Sequence, residues 1–268
     1  MDARARALRP IRLLWLFAAG IAQAVPFNIT VNITGGLTPS QQAIFVTAEQ
    51  TWESLIPNYA ASVTYLGGLT INASGIAIDG AGGILGSAGP SGTTTNGGFV
   101  LASTGVMQFD SADLADMELD GTLLSVILHE MAHVMGFGTL WTNNGVYVEG
   151  TGQYTGALAL STYRNEFNQP GATNVPVELG GGGGTANGHW NEVDGGAGPT
   201  GFVSNFSGQD MQFELMTGWL NPGSFISRTT LASFEDIGYD AADVPEPATM
   251  ALAGAALISM ALWRKRRS

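Results

Sequence analysis

The three histidines of this 268-residue chain are spaced so that one metal ion could bind all of them. His129 and His133 flank Glu130 in the run HEMAHVMGFGTLW, and His189 stands alone in GHWNE, after five consecutive glycines. Positions i and i+4 of an α-helix lie on one face, so the first two imidazoles converge on a point beside the helix. Glu130, one residue further round, could hold a water that the metal also touches. The spacing therefore predicts a metal site suited to hydrolysis.

Zinc fits this arrangement, because the H-E-x-x-H motif is typical of zinc peptidases. Catalytic zinc takes three protein ligands and a water, so one ligand must come from outside the motif. In one class that ligand is a glutamate on a later helix; in another, a glycine three residues after the second histidine turns the chain towards a third histidine. Gly136 holds the glycine position, whereas Thr139 stands where a compact site has its third histidine. The third ligand could be a carboxylate or His189, which is the remaining histidine.

Hydrophobic periodicity predicts an α+β chain. Apolar residues at helical spacing run from about 122 to 135, and this helix would direct His129 and His133 towards a cleft. Gly136 ends the helix, because glycine takes the left-handed conformation that helix ends often need. The stretch 80–98, rich in glycine and threonine, is predicted to be a long surface loop. Further helices are predicted at 39–55 and 156–167, and strands at 27–33, 61–65, 69–78 and 100–109.

Both ends of the chain have the composition of sorting signals. Residues 1–24 hold four arginines, an apolar run and the small-x-small pattern Ala22-Gln23-Ala24, which together predict a cleaved signal peptide. Residues 244–268 begin Val-Pro-Glu-Pro, continue as an apolar run at 248–263 and end in a basic cluster. This tail resembles a PEP-CTERM sorting signal; an ordinary C-terminal anchor is the alternative. The resemblance implies transient membrane association through 248–263, processing by an exosortase-type enzyme, and delivery to the cell surface or extracellular matrix of a Gram-negative bacterium.

The segment between these signals, residues 25–243, is strongly acidic. It has two basic residues, Arg164 and Arg228, against 20 acidic ones, so its net charge is about −18 with neutral histidines. Such a surface repels nucleic acid and anionic membranes, which excludes nucleic acid as a partner. The chain has no cysteine, so disulfides contribute nothing to its stability.

Four segments in order resemble the leishmanolysin family of metzincin zinc peptidases: HEMAHVMGFGTLW, GHW after a long insertion, ELMTGW at 214–219 and TLASFEDIGYD at 230–240. The resemblance implies a metzincin-like catalytic domain at 25–243. Its upper lobe (25–137) would have a twisted mixed sheet and the active-site helix, above an irregular lower lobe (138–243). It also implies these roles: zinc ligands His129, His133 and His189, general base Glu130, turning glycine Gly136 and Met-turn residue Met216. The chain departs from the family's cysteine-rich eukaryotic members, and its spacing from His189 to Met216 is long.

These residues predict an exported zinc-dependent endopeptidase. A protein or peptide substrate would lie extended in the cleft and pair with an edge strand, for which 100–109 is the predicted candidate. Two alternatives remain open: a surface or extracellular-matrix structural protein with a vestigial zinc site, and a zinc hydrolase that acts on non-peptide amides. The intact Glu130 favours an enzyme, because a protein without activity could lose this residue most easily.

Three other features have both a functional and a structural interpretation. Asp79-Gly80 and Asp194-Gly195 could bind calcium, although they lack an EF-hand spacing and are more typical of turns. Glu192 either supports the metal site or is exposed to solvent. The glycines at 180–184 form either a rim beside the metal or a solvated linker.

Overall fold

Residues 24–64, 66–193 and 196–242 are described by the computed structural model, and they form an α+β fold around a hydrophobic core. The predicted signal peptide, apart from Ala24, and the predicted sorting segment at 244–268 lie outside these residues, as does Asp194-Gly195. In chain order the elements are β1 (Ile29–Gly35), α1 (Pro39–Leu55), β2 (Asn58–Tyr59), β3 (Leu69–Ile76), β4 (Gly86–Asn96), β5 (Phe99–Asp110), α2 (Leu114–Asp120), α3 (Leu123–Met135), β6 (Gln153–Tyr154), α4 (Ala157–Glu166), β7 (Val175–Pro176), α5 (Arg228–Glu235) and β8 (Tyr239–Asp240).

The main sheet has four strands in the order β1-β3-β5-β4. β1, β3 and β5 run parallel, and β4 pairs antiparallel with β5. The sheet is therefore mixed, as predicted. The predicted strands at 27–33, 69–78 and 100–109 are confirmed as β1, β3 and β5, with small shifts of their ends.

The predicted surface loop at 80–98 is wrong, because most of it forms the eleven-residue strand β4. Glycine and threonine dominate this strand, so its composition does not indicate a strand. The ladder with β5 supplies what local propensity lacks, from Gly86 opposite Phe109 to Asn96 opposite Phe99. The prediction that 100–109 is an edge strand is also wrong, because this segment lies in β5, between β3 and β4. The edge strand on this side of the sheet is β4.

Two further predictions about local structure change. The predicted strand at 61–65 is wrong over its described part, 61–64, where Val63 N–H donates to Ala60 O at 2.8 Å and closes a turn. The short strand in this region is β2, which pairs with β8 from the far end of the described chain. The second half is loop-rich, as predicted, and its described part also has two α-helices. α4 confirms the helix predicted at 156–167, and α5 overlaps the start of the TLASFEDIGYD segment at 230–240.

The two long helices of the first half are confirmed and are tied to each other. Thr38 and Gln41 form a capping box at the start of α1, which has Pro39 in its first turn. Near the end of α1, the fully buried Trp52 donates its Nε1–H to Leu128 O of α3 at 3.0 Å. This bond fixes α3 one residue before its first histidine.

The helix α3 lies directly against the sheet, because β5 has a glycine at the contact. A Cβ on Gly105 would lie 2.1 Å from Val134 Cγ1, so no larger residue fits there. At its other end, α3 is followed by Gly136 with a φ of +123°, as predicted for a helix terminated by glycine. Sheet and helix therefore form one rigid support for the two histidines.

A buried carboxylate holds the connection between β3 and β4. Asp110, 1% exposed, accepts hydrogen bonds from the backbone N–H groups of residues 78–80 at 2.8–3.3 Å and from that of Ala112 at 2.9 Å. The bonds from Ala112 and from the turn lower the pKa of Asp110 to about 2. Asp113 adds a bond from Gly82 N–H at 2.7 Å. Negative charge at Asp110 thus stabilises the turn that leads into β4.

Replacing this carboxylate should destabilise the fold in a pH-dependent way. In Asp110→Asn, an NH2 group faces backbone donors, so we expect a lower melting temperature than wild type at pH 7. The folded-state pKa of Asp110 is about 2 and the unfolded-state value is about 3.9, so its ionised carboxylate stabilises the fold fully only above about pH 4. The difference between variant and wild type should therefore narrow as the pH falls from about 4 to about 2.

Thermal melts followed by circular dichroism between pH 2 and 7 would test this expectation. Asp116→Asn on the exposed side of α2 is the control and should melt like wild type throughout. A deficit that stays constant across the whole pH range would show that packing, not charge, accounts for the role of Asp110.

Among the described residues, no helix combines the length and apolar character needed to cross a bilayer.

Candidate metal centre

The three histidines come together at one point. His129 and His133 lie one turn apart on α3, and His189 follows the glycine run in the second half of the chain. Their Nε2 atoms form a triangle with sides of 3.0 Å. Within the described part of the chain, this is the one group of three or more His, Cys, Asp or Glu side chains close enough to share a metal ion.

Backbone carbonyl groups determine which ring nitrogen carries the proton. In each ring, Nδ1 lies within hydrogen-bond distance of a carbonyl oxygen: 2.7 Å from Leu215 for His129, 3.0 Å from Phe137 for His133, and 2.8 Å from Thr185 for His189. A carbonyl oxygen only accepts, so each Nδ1 donates and each neutral ring presents an unprotonated Nε2. Three lone pairs facing one another at 3.0 Å cannot form hydrogen bonds among themselves. They repel unless a cation lies between them.

Burial keeps the three rings in this neutral form. It lowers the pKa of His129, and it lowers that of His189 to about 3. Burial also holds the pKa of His133 well below its usual value, and the positive charges that His129 and His189 would carry lower it further. Metal binding requires neutral imidazole, so the rings have the protonation state of a ligand set.

The donor set fits zinc. Tetrahedral zinc with bonds of about 2.0–2.1 Å to histidine keeps its ligand nitrogens about 3.3 Å apart, close to the 3.0 Å of this triangle. Each ligand ring is oriented by a carbonyl on its far nitrogen, the usual arrangement behind a zinc-binding histidine. All three rings line one cleft, so a fourth position is open to a small molecule.

Glu130 lines the same cleft beside the histidines. Its side chain is 7% exposed and lies against Gly86, the first residue of β4. Burial raises the pKa of Glu130 to about 8. A carboxylate with a raised pKa next to a metal site can accept a proton from a water and donate it again.

Two glycines allow the segment before His189 to reach the end of α3. Gly138 has a φ of +70°, and a Cβ on it would lie 2.4 Å from Gly188 O, so the two backbones touch. The residue after Gly138, Thr139, donates its hydroxyl hydrogen to His133 O at 2.6 Å. Thr139, which occupies the position of the third histidine in a compact site, therefore satisfies a carbonyl at the end of the helix. No local sequence pattern around Gly138 indicates that this glycine helps to position the third histidine.

An aromatic cluster holds the residue after His189. Trp190 is fully buried and stacks on Trp141, with ring centroids 5.0 Å apart and planes at 27°. Phe137 and Tyr154 pack edge-on against Trp190 at 5.0 and 5.3 Å. Its Nε1–H donates to Thr230 Oγ1 at 2.9 Å, so the indole has both apolar and polar partners. The tryptophans in GTLW and GHW are visible in the sequence, but nothing in the spacing shows that they stack.

The segment 214–217 passes next to the metal centre. Leu215 O accepts the His129 Nδ1 proton, and Met216 O accepts the Trp190 N–H at 3.0 Å. Met216 is fully buried, and its N–H donates to Glu214 Oε2 at 2.5 Å. This short segment therefore contacts both sides of the histidine triangle: Leu215 binds His129, and Met216 binds Trp190, the residue after His189.

The cleft at the histidine triangle has a volume of about 1130 Å³. Residues 76–78 and 83–88 line the cleft, and so do residues 214, 215, 217–221 and 224. Residues 181 and 183–188 also line it, so the glycine-rich segment is a rim beside the metal centre rather than a linker. Among the described residues, no lysine or arginine lines the cleft.

The remaining candidates have structural explanations or lie outside the described chain. Asp79 accepts the Ile84 N–H at 3.2–3.3 Å, which closes a turn and gives no indication of calcium. Asp194-Gly195 is outside the described residues. Glu192 is 7% exposed, which excludes the alternative of a solvent-exposed side chain, and burial raises its pKa to about 8.

Comparison with known families identifies the sorting signal. Residues 243–267 match the PEP-CTERM protein-sorting motif, as predicted from the tail. The motif marks the chain as an exported protein of the Gram-negative cell envelope and implies processing by an exosortase-type enzyme. No curated protein matches the chain. This match covers only the tail, so the function of residues 25–242 must be inferred from the geometry of their own site.

Removing the third histidine should reduce metal binding. We expect His189→Ala to lose most of its zinc on dialysis, because two histidines on one helix leave the ion with too few protein ligands. Elemental analysis of dialysed protein would measure the zinc-to-chain ratio, and the rise in melting temperature on adding zinc should shrink in parallel. Thr142→Ala, at another position in the cleft, should retain the wild-type ratio. An unchanged ratio in His189→Ala would place the third ligand elsewhere, for example on a carboxylate.

Proposed function

We propose that the protein is an exported zinc-dependent endopeptidase of metzincin type, similar to leishmanolysin. The observation that carries this proposal is the convergence of three unprotonated Nε2 atoms at 3.0 Å beside the buried carboxylate of Glu130. A triangle of lone pairs requires a cation, and a carboxylate in the same cleft provides a base. Together they match the requirements of hydrolysis at a metal centre.

In this proposal His129, His133 and His189 hold the zinc ion. When bound, zinc lowers the pKa of a coordinated water to about 7 and polarises the carbonyl group that is attacked. The carbonyl partners of the three Nδ1 atoms orient the rings, so the chain supplies a preorganised site.

Glu130 acts as the general base. It accepts the proton of the attacking water and then donates it to the leaving amine as the peptide bond breaks. Its position supports both steps, because the side chain lines the same cleft as the three histidines and can reach a water held there.

The surroundings of the site favour the metzincin type over the class with a glutamate as third ligand. Among the described residues, no carboxylate joins the histidine triangle. Gly136 turns the chain at the end of α3, as the family resemblance implies. Met216 lies in the segment next to the site, in agreement with its proposed role in a Met-turn.

An extended peptide would bind along the start of β4. Residues 86–88 line the cleft at the edge of the sheet, where no further strand pairs with β4 among the described residues. Such an edge offers a row of N–H and C=O groups to a polypeptide backbone. We therefore assign the role predicted for 100–109 to residues 86–88 of the neighbouring strand β4.

The alternatives make different demands on the cleft. A structural protein with a vestigial site would have no need of a buried base beside three metal-ready histidines. A hydrolase of non-peptide amides would use the same centre but gains nothing from an open sheet edge. We further propose that the sorting tail delivers the peptidase to the cell surface or the extracellular matrix, where protein substrates are available.

Changing the base should abolish turnover without removing zinc. We expect Glu130→Gln to retain the wild-type zinc content and to lose at least about 100-fold in kcat, because general-base catalysis contributes about 10²–10⁴-fold. Mass spectrometry of a mixed peptide library incubated with zinc-loaded protein would detect new peptide termini. Asp116→Asn is the matched carboxylate-to-amide control and should cleave like wild type.

The outcomes separate the candidate functions. Loss of zinc together with activity in Glu130→Gln would show that Glu130 supports folding or metal binding instead of proton transfer. No cleavage of any library peptide by zinc-loaded wild type would contradict the peptidase and favour the structural protein. Cleavage of small amides alone would favour the third alternative.

A further inference from the structure

One glycine lies directly against the candidate base. A Cβ built on Gly86 would lie 3.0 Å from Glu130 Cγ, 3.1 Å from its Oε1 and 3.2 Å from its Cδ. The backbone of Gly86 is in a region that any residue can adopt, so its conformation does not require glycine. A side chain at position 86 would therefore occupy space that the Glu130 carboxylate now uses.

The strand and the helix at this contact are both held in place, so neither can move to make room. Gly86 pairs with Phe109 of β5, and the preceding Leu85 O accepts the Asp110 N–H at 3.0 Å. On the other side, the contact of Gly105 with Val134 and the Trp52 hydrogen bond fix α3 against the sheet and α1. The movable part of the contact is the side chain of Glu130.

Other glycines of the same strand do not share this property. A Cβ on Gly89 would have Thr139 Cγ2 as its nearest neighbour, at 4.0 Å, which is an ordinary van der Waals distance. A Cβ on Gly92 would meet the side chain of Thr104, away from the cleft. The conflict with Glu130 is thus specific to Gly86.

We propose that Gly86 is a positioning residue for Glu130: the missing side chain at the start of β4 sets where the carboxylate lies relative to the three histidines. This inference rests on the proposed function, since it concerns the base of that reaction. A larger residue would push the carboxylate away from β4 and alter its distance to the attacking water. A Cβ at 3.0–3.2 Å requires the carboxylate to move by a few tenths of an ångström, and a larger side chain by more; a displacement of about 1 Å at a reacting group can reduce the rate about 100-fold.

A second explanation for the glycine makes a different kinetic prediction. If Gly86 is small only so that the substrate backbone can approach β4, enlarging it weakens substrate binding and raises KM. If Gly86 positions the base, enlarging it lowers kcat and leaves KM nearly unchanged, because ground-state binding does not involve Glu130.

The test compares Gly86→Ala and Gly86→Val with Gly89→Ala in the full zinc-loaded chain. We expect kcat to fall about 10-fold for Ala and about 100-fold for Val, with KM within about two-fold of wild type and unchanged zinc content. Gly89→Ala should show no such decrease. Wild-type kcat in both Gly86 variants, or a change confined to KM, would overturn the proposal.

A double-mutant cycle on Gly86 and Glu130 separates a direct contact from a purely structural role of the glycine, because only a direct contact makes the two effects on kcat depend on each other. In Glu130→Asp the carboxylate is one methylene shorter and withdraws from β4. Gly86→Ala should therefore cost clearly less in the Glu130→Asp background than in wild type, whereas independent effects on folding would add. Additive losses would contradict a direct contact.

The position of the carboxylate can also be measured without any turnover. A crystal structure of Gly86→Ala should show Glu130 displaced, with the histidine triangle and β4 in their wild-type positions. An unmoved carboxylate would reject the inference even if no substrate were known. Absence of activity in wild type, combined with a displaced carboxylate in the variant, would instead contradict the proposed function and leave the contact established.

Discussion

The mutual repulsion of three imidazole lone pairs is the constraint on which the architecture around the cleft depends. Each Nε2 is unprotonated because its own Nδ1 is committed to a backbone carbonyl, so the protein cannot relieve the repulsion by changing a tautomer. The rings would separate if the backbone allowed it. The contact between Gly138 and Gly188 and the stack of Trp190 on Trp141 prevent the third ring from leaving. A cation at this point would bind to a ligand set that the backbone already holds together.

Carboxylates, more than ion pairs or disulfides, organise the rest of this acidic protein. Glu214 is fully buried and accepts bonds from the N–H groups of Met216 and Ser227 and from the Thr230 hydroxyl. Glu166 similarly binds the N–H and hydroxyl of Thr229 at 2.8 Å. Glu214 joins the loop at Met216 to the start of α5, and Glu166 joins the end of α4 to it. Residues 25–243 contain two arginines, and backbone N–H groups supply partners for these carboxylates that cations provide elsewhere.

The elements that could be predicted from the sequence are those with strong local signals. α1 has a capping box and a proline in its first turn, and α3 has a continuous buried stripe that ends in glycine. β4 could not be predicted, because its glycines and threonines become a strand only through pairing with β5. His189 could be selected because histidine is scarce, yet its approach to α3 depends on the long-range stack of Trp190 on Trp141. The contact between Gly86 and Glu130 joins residues 44 positions apart, and no local pattern indicates it.

The position of His189 along the chain also determines when a functional centre can exist. A growing or partly folded chain that has formed α3 holds two of the three histidines, which makes it a weak ligand for zinc. In the folded domain the third histidine is held by contacts that all lie in the second half, among them the stack of Trp190 on Trp141 and the hydrogen bond from Met216 to Glu214. Metal capture is thus coupled to completion of the second half of the domain. For the proposed peptidase, a chain that crosses a membrane unfolded would gain activity only when the second half of the domain folds on the far side.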